Sequence, residues 1–322
     1  MIIPTPTARK ALRVLTLLSS VIFTTPALPW GCQGHRIVAL VAWEQLNPHA
    51  RMAAAQLLEG QPTDPSLRRF CPASNLPALA DLSSWADDVR TQRKETAGWH
   101  FIDIPLDGRR KNITQACPAS GCVTRAIRRQ VEVLRSPSAS RHEQAEALMF
   151  LVQFMGDLHQ PLHAADNDDR GGNCVAVALF DHQPETSGST QNYHPNLHGV
   201  WDTDLLELVL HGQDPAAFAV ALRAEFASDM KRWLRQPVDV DAWAWESHKA
   251  AVKTVYGRLP KKIAVEPPRA VESCADHDMG QRMYDLHEQI DQRYLRAASP
   301  VIRRQLARAG TRLAVMLNEI WP

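Results

Sequence analysis

An all-α domain is what this sequence predicts, and three observations predict it. From Trp30 onward the apolar residues recur mostly at helical spacing, proline or glycine separates the apolar stretches, and no internal repeat or low-complexity linker divides the chain. Its 322 residues, 45% hydrophobic and 22% charged, supply enough apolar material for a buried core.

The first helix is expected over residues 35–46, where Ile37, Leu40, Val41 and Leu46 fall on one side. Pro48 opens a second helix through Leu58, since a first helical position has no use for the N–H that proline lacks. Residues 76–93 and 122–134 read as the third and fourth. The apolar stretch 142–159 is the expected core helix and must stop near Pro161, because proline disfavours helix in the residue before it. Residues 214–236, 239–256, 277–298 and 300–321 supply the rest. Only 171–180 departs: Gly171 and Gly172 followed by VAVALF read as a short hairpin or loop excursion.

At the start, Arg9, Lys10 and Arg13 precede an apolar run over residues 14–23, and Thr24, Thr25, Pro26 and Ala27 follow it. That is the pattern of a signal peptide, and the run is far below the ~20 residues that span a bilayer. Residues 1–29 are therefore expected to be an export signal and 30–322 the mature domain, secreted or periplasmic, with no membrane span. A cut before Trp30 leaves Pro29 next to the scissile bond, where proline is a poor residue. The six cysteines all lie beyond this segment and form an even set, which predicts disulfides in an oxidising compartment. Cys117 and Cys122 enclose PASG, a sequence suited to a tight closed loop. The other pairs expected are Cys32 with Cys71 and Cys174 with Cys274, although sequence alone leaves connectivity open.

Charge limits the choice of partners. Lys+Arg 36 against Asp+Glu 35 gives a formal net charge of +1, so no chain-wide basic field exists to hold a polyanion. Nucleic-acid binding would have to be local, through metal ions or a few arginines.

Several fragments carry candidate chemistry. FMGDLHQPLH puts Asp157 on the last turn of an apolar helix and His163 just past the proline that ends it; a carboxylate pointing into a core needs a partner. LHGVWDTDLL places His198 and Asp202 four apart, on one helix face at a separation suited to one cation. SWADDVR supplies Asp87 with Arg90 on the next turn, and WHFIDIP sets His100 between two aromatics. WGCQGHRIVAL gives His35 and, if the cut falls before Trp30, a terminal amine able to chelate zinc with its own carbonyl. Each fragment alone has a structural explanation: a capped helix-end aspartate, a surface His–Asp pair, a hydrogen-bonded core histidine.

Taken in order, WG(x)₃H, WAD(x)₂R, HFID, GDxHQPLH, DDRGGN and LHxVWDTD resemble the zinc-dependent single-strand-specific nucleases of the S-one and P-one type, over residues 30–206. The resemblance implies a single, mainly helical, disulfide-linked domain with three zinc ions in a cleft, similar to zinc-dependent phospholipase C. By resemblance Asp87, His100, Asp157 and position 153 hold the first ion, and His163, His198 and Asp202 the second. Trp30, through amine and carbonyl, and His35 hold the third, with Asp157 bridging. At position 153 family members carry histidine, whereas this chain has Gln153, whose neutral amide oxygen is a weaker zinc ligand. Arg90 is implied as a phosphate clamp, Phe101 as a stacking platform and Asp103 as the acceptor for a base edge. Single-stranded DNA and RNA and 3′-mononucleotides are the implied substrates of a monomer without a stable protein partner, with 5′-phosphorylated products. Two other readings follow from the same residues: a phospholipase C-like phosphodiesterase, and a weakened metal-binding homologue marked by Gln153.

Overall fold

A computed structural model describes residues 30–183, 185–187, 192–265, 274 and 288–322. The proposed signal, residues 1–29, lies outside them. Helix α1 (Gly31–Trp43) begins four residues earlier than the apolar pattern suggested, directly after Trp30, whose backbone takes the left-handed φ of 45°. Asn47 caps α2 (Pro48–Leu58) by accepting from the Ala50 amide at 2.8 Å.

The expected helix over 76–93 is two short ones, α3 (Ala78–Asp81) and α4 (Trp85–Val89). Buried Ser83 explains the break: its hydroxyl donates to the Ala80 carbonyl at 2.8 Å, a local bond that competes with the helical ladder. Helix α5 (Val123–Arg135) follows the loop closed by Cys117 and Cys122. Helix α6 (Arg141–His159) starts from a reciprocal cap, in which the Ser140 hydroxyl accepts from the Glu143 amide and the Glu143 carboxylate from the Ser140 amide. Every residue from 147 to 159 is buried, so α6 is the core helix and its polar side chains must find partners inside the protein.

Helix α7 (Leu197–Leu210) contains a π-helical turn at Val200–Asp204. The stretch 214–236 bends at Phe226, giving α8 (Pro215–Glu225) and α9 (Ala227–Trp233), because Phe226 leaves helical geometry while its ring is buried beside Trp233. Helix α10 (Val240–Ala250) runs on through a π-helical turn to Tyr256. The two expected C-terminal helices are one, α11 (Gln292–Ile320), capped by the Asp291 carboxylate on the Tyr294 amide. Residues 277–287 of that expectation lie outside the described residues. Pro300 does not end α11: the carbonyl it leaves without a donor belongs to exposed Arg296, where water can satisfy it.

Residues 171–180 do not form a hairpin. Strand β1 (Val177–Leu179) pairs in parallel with the distant β4 (Glu288–Ile290), Val177 opposite Glu288, while β2 (Glu185–Ser187) and β3 (Asn192–His194) form a separate antiparallel pair. The molecule is otherwise mainly helical. Helix α1 packs against α6, α8 and α11. Cys32 bonds Cys71, Cys117 bonds Cys122 and Cys174 bonds Cys274, with Cα separations of 5.2, 5.3 and 5.1 Å. No single helix among the described residues is long and apolar enough to cross a membrane.

Candidate metal centre

The end of α6 builds the site. Gln160 leaves helical geometry there, and its side-chain carbonyl accepts from the Leu162 amide at 2.5 Å, starting a 3-10 turn Pro161–Ala164 that carries His163. The His163 Nδ1 lies 2.8 Å from the His100 carbonyl, and the His198 Nδ1 lies 2.6 Å from the Gly171 carbonyl. A carbonyl can only accept, so both Nδ1 atoms carry a proton and, in the neutral rings, both Nε2 atoms present a lone pair. Those lone pairs face Asp202: His198 Nε2 is 3.1 Å from its Oδ2, and His163 Nε2 is 3.9 Å from its Oδ1. Donor atoms of the three residues lie within 4.8 Å of one another, the one such cluster of His, Cys, Asp and Glu among the described residues.

Buried His163 Nε2 has no hydrogen-bond partner within the protein, so it is open to an ion shared with His198 and Asp202. Two imidazoles and one carboxylate match zinc sites that keep an open position, so these three residues fit zinc. Burial pulls the His163 pKa down to about 4, and the His198 charge adds to that, so its lone pair stays available near neutrality. Burial also works against charged His198, but the Asp202 carboxylate outweighs it and the net shift is upward.

A second group lies alongside, on α4, α6 and the segment before Phe101. His100 Nδ1 is 2.8 Å from Asp157 Oδ2 and 3.8 Å from Asp87 Oδ1, and His35 Nε2 is 3.3 Å from Asp157 Oδ1. The Gln153 amide nitrogen sits among them, 2.9 Å from Asp87 Oδ2, 2.9 Å from His35 Nε2 and 3.3 Å from Asp157 Oδ1. The amide oxygen in that place would face carboxylates, so its neighbours dictate the orientation. Arranged this way the group does not fit a metal ion, because a donor N–H already points at its acceptors. Burial pushes both carboxyls upward, with opposite net outcomes. It raises the Asp87 pKa against the pull of Arg90 and His100, whereas hydrogen bonds from His100 and His35 overcome it at Asp157 and hold that carboxyl well below the usual range.

The Trp30 nitrogen donates to Asp202 Oδ1 at 3.3 Å, so it borders the His163 group, while His35 reaches Asp157. Gln160 donates to the same Asp202 oxygen at 2.6 Å. Sequence reasoning assigns Gln160 no role, although it lies inside the HQPLH fragment. The DDRGGN loop is likewise explained: Asp166 Oδ1 accepts from the amides of Asp169 and Gly171, and Tyr256 donates to Asp169, fixing the carbonyl that orients His198. Gly156 matters for space, since a Cβ there would lie 2.5 Å from His35 Nδ1.

Around this centre, Arg90 lies 3.6 Å from Asp87 Oδ1 with its side chain 24% exposed. Phe101 is 39% exposed, unusual for a large apolar ring. Asp103 faces solvent, yet the protein crowding its carboxyl, and secondly the Asp166 carboxylate, push its pKa up to about 7. His159 turns away, bonding the Met155 carbonyl and Arg312.

The S1/P1 Nuclease family model matches residues 30–322. Endonuclease 2 of Arabidopsis thaliana is 26% identical, covering 97% of this chain and 99% of its own. Nuclease P1 of Penicillium citrinum is 28% identical over 90% of this chain and 97% of its own, and nuclease S1 of Aspergillus oryzae 27% over 90% and 91%.

Proposed function

The chain belongs to the S1/P1 nuclease family, and from that premise we propose an exported zinc-dependent endonuclease that hydrolyses single-stranded DNA and RNA to 5′-phosphorylated products and dephosphorylates 3′-mononucleotides. The observation that carries this reading is the His163–His198–Asp202 cluster, with both Nδ1 protons spent on backbone carbonyls and both Nε2 atoms turned to one carboxylate. Zinc held there supplies Lewis acidity toward a phosphoryl oxygen and toward water.

The chain's own residues do the rest. Asp157, kept ionised by His100 and His35, orients the attacking water in line with the scissile bond. Arg90, beside Asp87, offers its guanidinium fork to a phosphate oxygen and to the charge that develops on it. The exposed Phe101 ring stacks on a base, and Asp103 meets the base edge, which a nucleotide can present only when unpaired. Preference for single strands follows from that requirement. Cleavage of the signal before Trp30 would turn its buried nitrogen from amide to amine beside Asp202, a further ligand in reach of a second ion with His35. Asp87, His100 and Asp157 keep three positions of the family's other ligand set, and Gln153 departs from it. Three disulfides suit export, and the reading takes the enzyme as a monomer.

The test is direct. Purified, zinc-loaded protein is offered labelled single-stranded DNA, its duplex and phosphatidylcholine vesicles. Faster cleavage of the single strand, leaving 5′-phosphate ends, is expected; hydrolysis of lipid alone would replace the nuclease by a phospholipase C.

A further inference from the structure

We propose that the Gln153 amide takes the place of one metal ion in this chain, so that hydrogen bonds, in place of coordination, hold Asp87 and Asp157 together and the metal complement is one ion short. The inference rests on the proposed function for its ligand pattern, but its geometry is independent of catalysis. The amide nitrogen stands 2.9, 2.9 and 3.3 Å from Asp87, His35 and Asp157. Those are hydrogen-bond lengths, and an amide nitrogen has donors but no lone pair to offer a zinc ion. A neutral donor thus faces the two carboxylates that an ion would otherwise share.

Charge balance supports the substitution. Two fully buried carboxylates need compensation, and without an ion it comes from protein donors. Gln153 reaches both, His100 reaches Asp157 at 2.8 Å, and Arg90 lies 3.6 Å from Asp87. To ligate an ion instead, the Gln153 amide would have to turn over and present Oε1, giving up all three nitrogen contacts. Oε1 is buried without a hydrogen-bond partner, so the amide holds its present orientation at the expense of its own acceptor. The ion recovered by turning would gain a ligand weaker than imidazole. The neighbouring cluster differs: there two Nε2 lone pairs converge on the Asp202 carboxylate, and His163 Nε2 accepts no hydrogen bond.

Metal counting tests the proposal without reading activity. Wild type and Gln153→His are equilibrated at one buffered free-zinc concentration, desalted and measured by native mass spectrometry and elemental analysis. Gln153→His should retain one more zinc per chain, with an affinity for that ion at least about tenfold above any weak binding the wild type shows there. Equal counts and equal affinities overturn the proposal. Should the histidine variant not fold, Gln153→Met decides, since it keeps the volume and removes the donor. After exhaustive chelation, Gln153→Met should melt several degrees below equally stripped wild type, whereas identical melting would show that the amide bridges nothing. A wild type that cuts no nucleic acid but shows the short zinc count would sink the nuclease reading and leave this one standing. A full count in an active enzyme would do the reverse.

Discussion

His163 donates from Nδ1 to the main-chain carbonyl of His100 at 2.8 Å, so a ligand of one cluster is oriented by the backbone of a residue whose side chain serves the other. The return bond, from the Ile102 amide to the His163 carbonyl at 2.8 Å, locks the two segments together. Residues 100–103 therefore carry the His100 imidazole, the exposed Phe101 ring and the Asp103 carboxyl on a stretch tied to the turn after α6. The proposed metal binding and base binding would share that strip of backbone.

Replacing His163 by alanine should remove both its Nε2 and its grip on the His100 carbonyl. The expected result is loss of the ion at this cluster and a fall of at least about a hundredfold in single-strand cleavage. Zinc content by elemental analysis and helical circular dichroism together check it. An unchanged zinc content would place the ion elsewhere.

Phe101→Ala should separate binding from metal. Stacking on an aromatic ring contributes about 1–3 kcal/mol per base, so kcat/KM on single-stranded substrate should drop by roughly 5- to 150-fold while bound zinc stays the same. Comparable kinetics in the variant would mean that no base stacks on the exposed ring.

Much of the site was legible because its residues sit in local fragments whose spacing survives folding. His198 and Asp202, four apart, do meet across one helical turn at 3.1 Å, and α6 does end where Pro161 requires. Long-range partners left no local trace. The parallel pairing of Val177–Leu179 with Glu288–Ile290 joins segments more than a hundred residues apart, and nothing in VAVALF distinguishes it from a hairpin arm. Nor could spacing show which end of Gln153 faces the carboxylates, since that is decided by the two acceptors Asp87 and Asp157, contributed from α4 and α6. Pro300 misled for the opposite reason: its rule is sound for a buried helix, but the carbonyl orphaned here belongs to exposed Arg296.

Gly310→Ala should destabilise the fold without touching the centre. A Cβ at this position of α11 would lie 2.5 Å from the Val41 Cβ and 2.6 Å from the Val38 carbonyl oxygen of α1, and neither can yield without moving the helices apart. A loss of about 1–3 kcal/mol is expected, read as a lower urea midpoint with an unchanged slope. Wild-type stability in the variant would mean that the α1–α11 approach is looser than the structure has it.

Acid should weaken the fold partly through His248, whose pKa is set by burial and one backbone hydrogen bond. Its ring stacks on Trp245 with centroids 4.7 Å apart, and its Nδ1 donates to the Ala164 carbonyl at 3.2 Å. Burial pushes its pKa down to about 4, against the smaller upward pull of that hydrogen bond. In the unfolded chain the imidazole titrates near ~6.5, so between there and about 4 the unfolded state binds more protons than the folded one. Stability from this group is therefore fully present above ~6.5 and is lost as the pH falls through that window, by at most about 3 kcal/mol. His248→Gln cannot take up the proton, so its unfolding free energy, measured by urea at successive pH values, should decline less steeply than that of wild type across the same window. Parallel curves would mean that the proton finds His248 as easily in the folded protein as in the unfolded one.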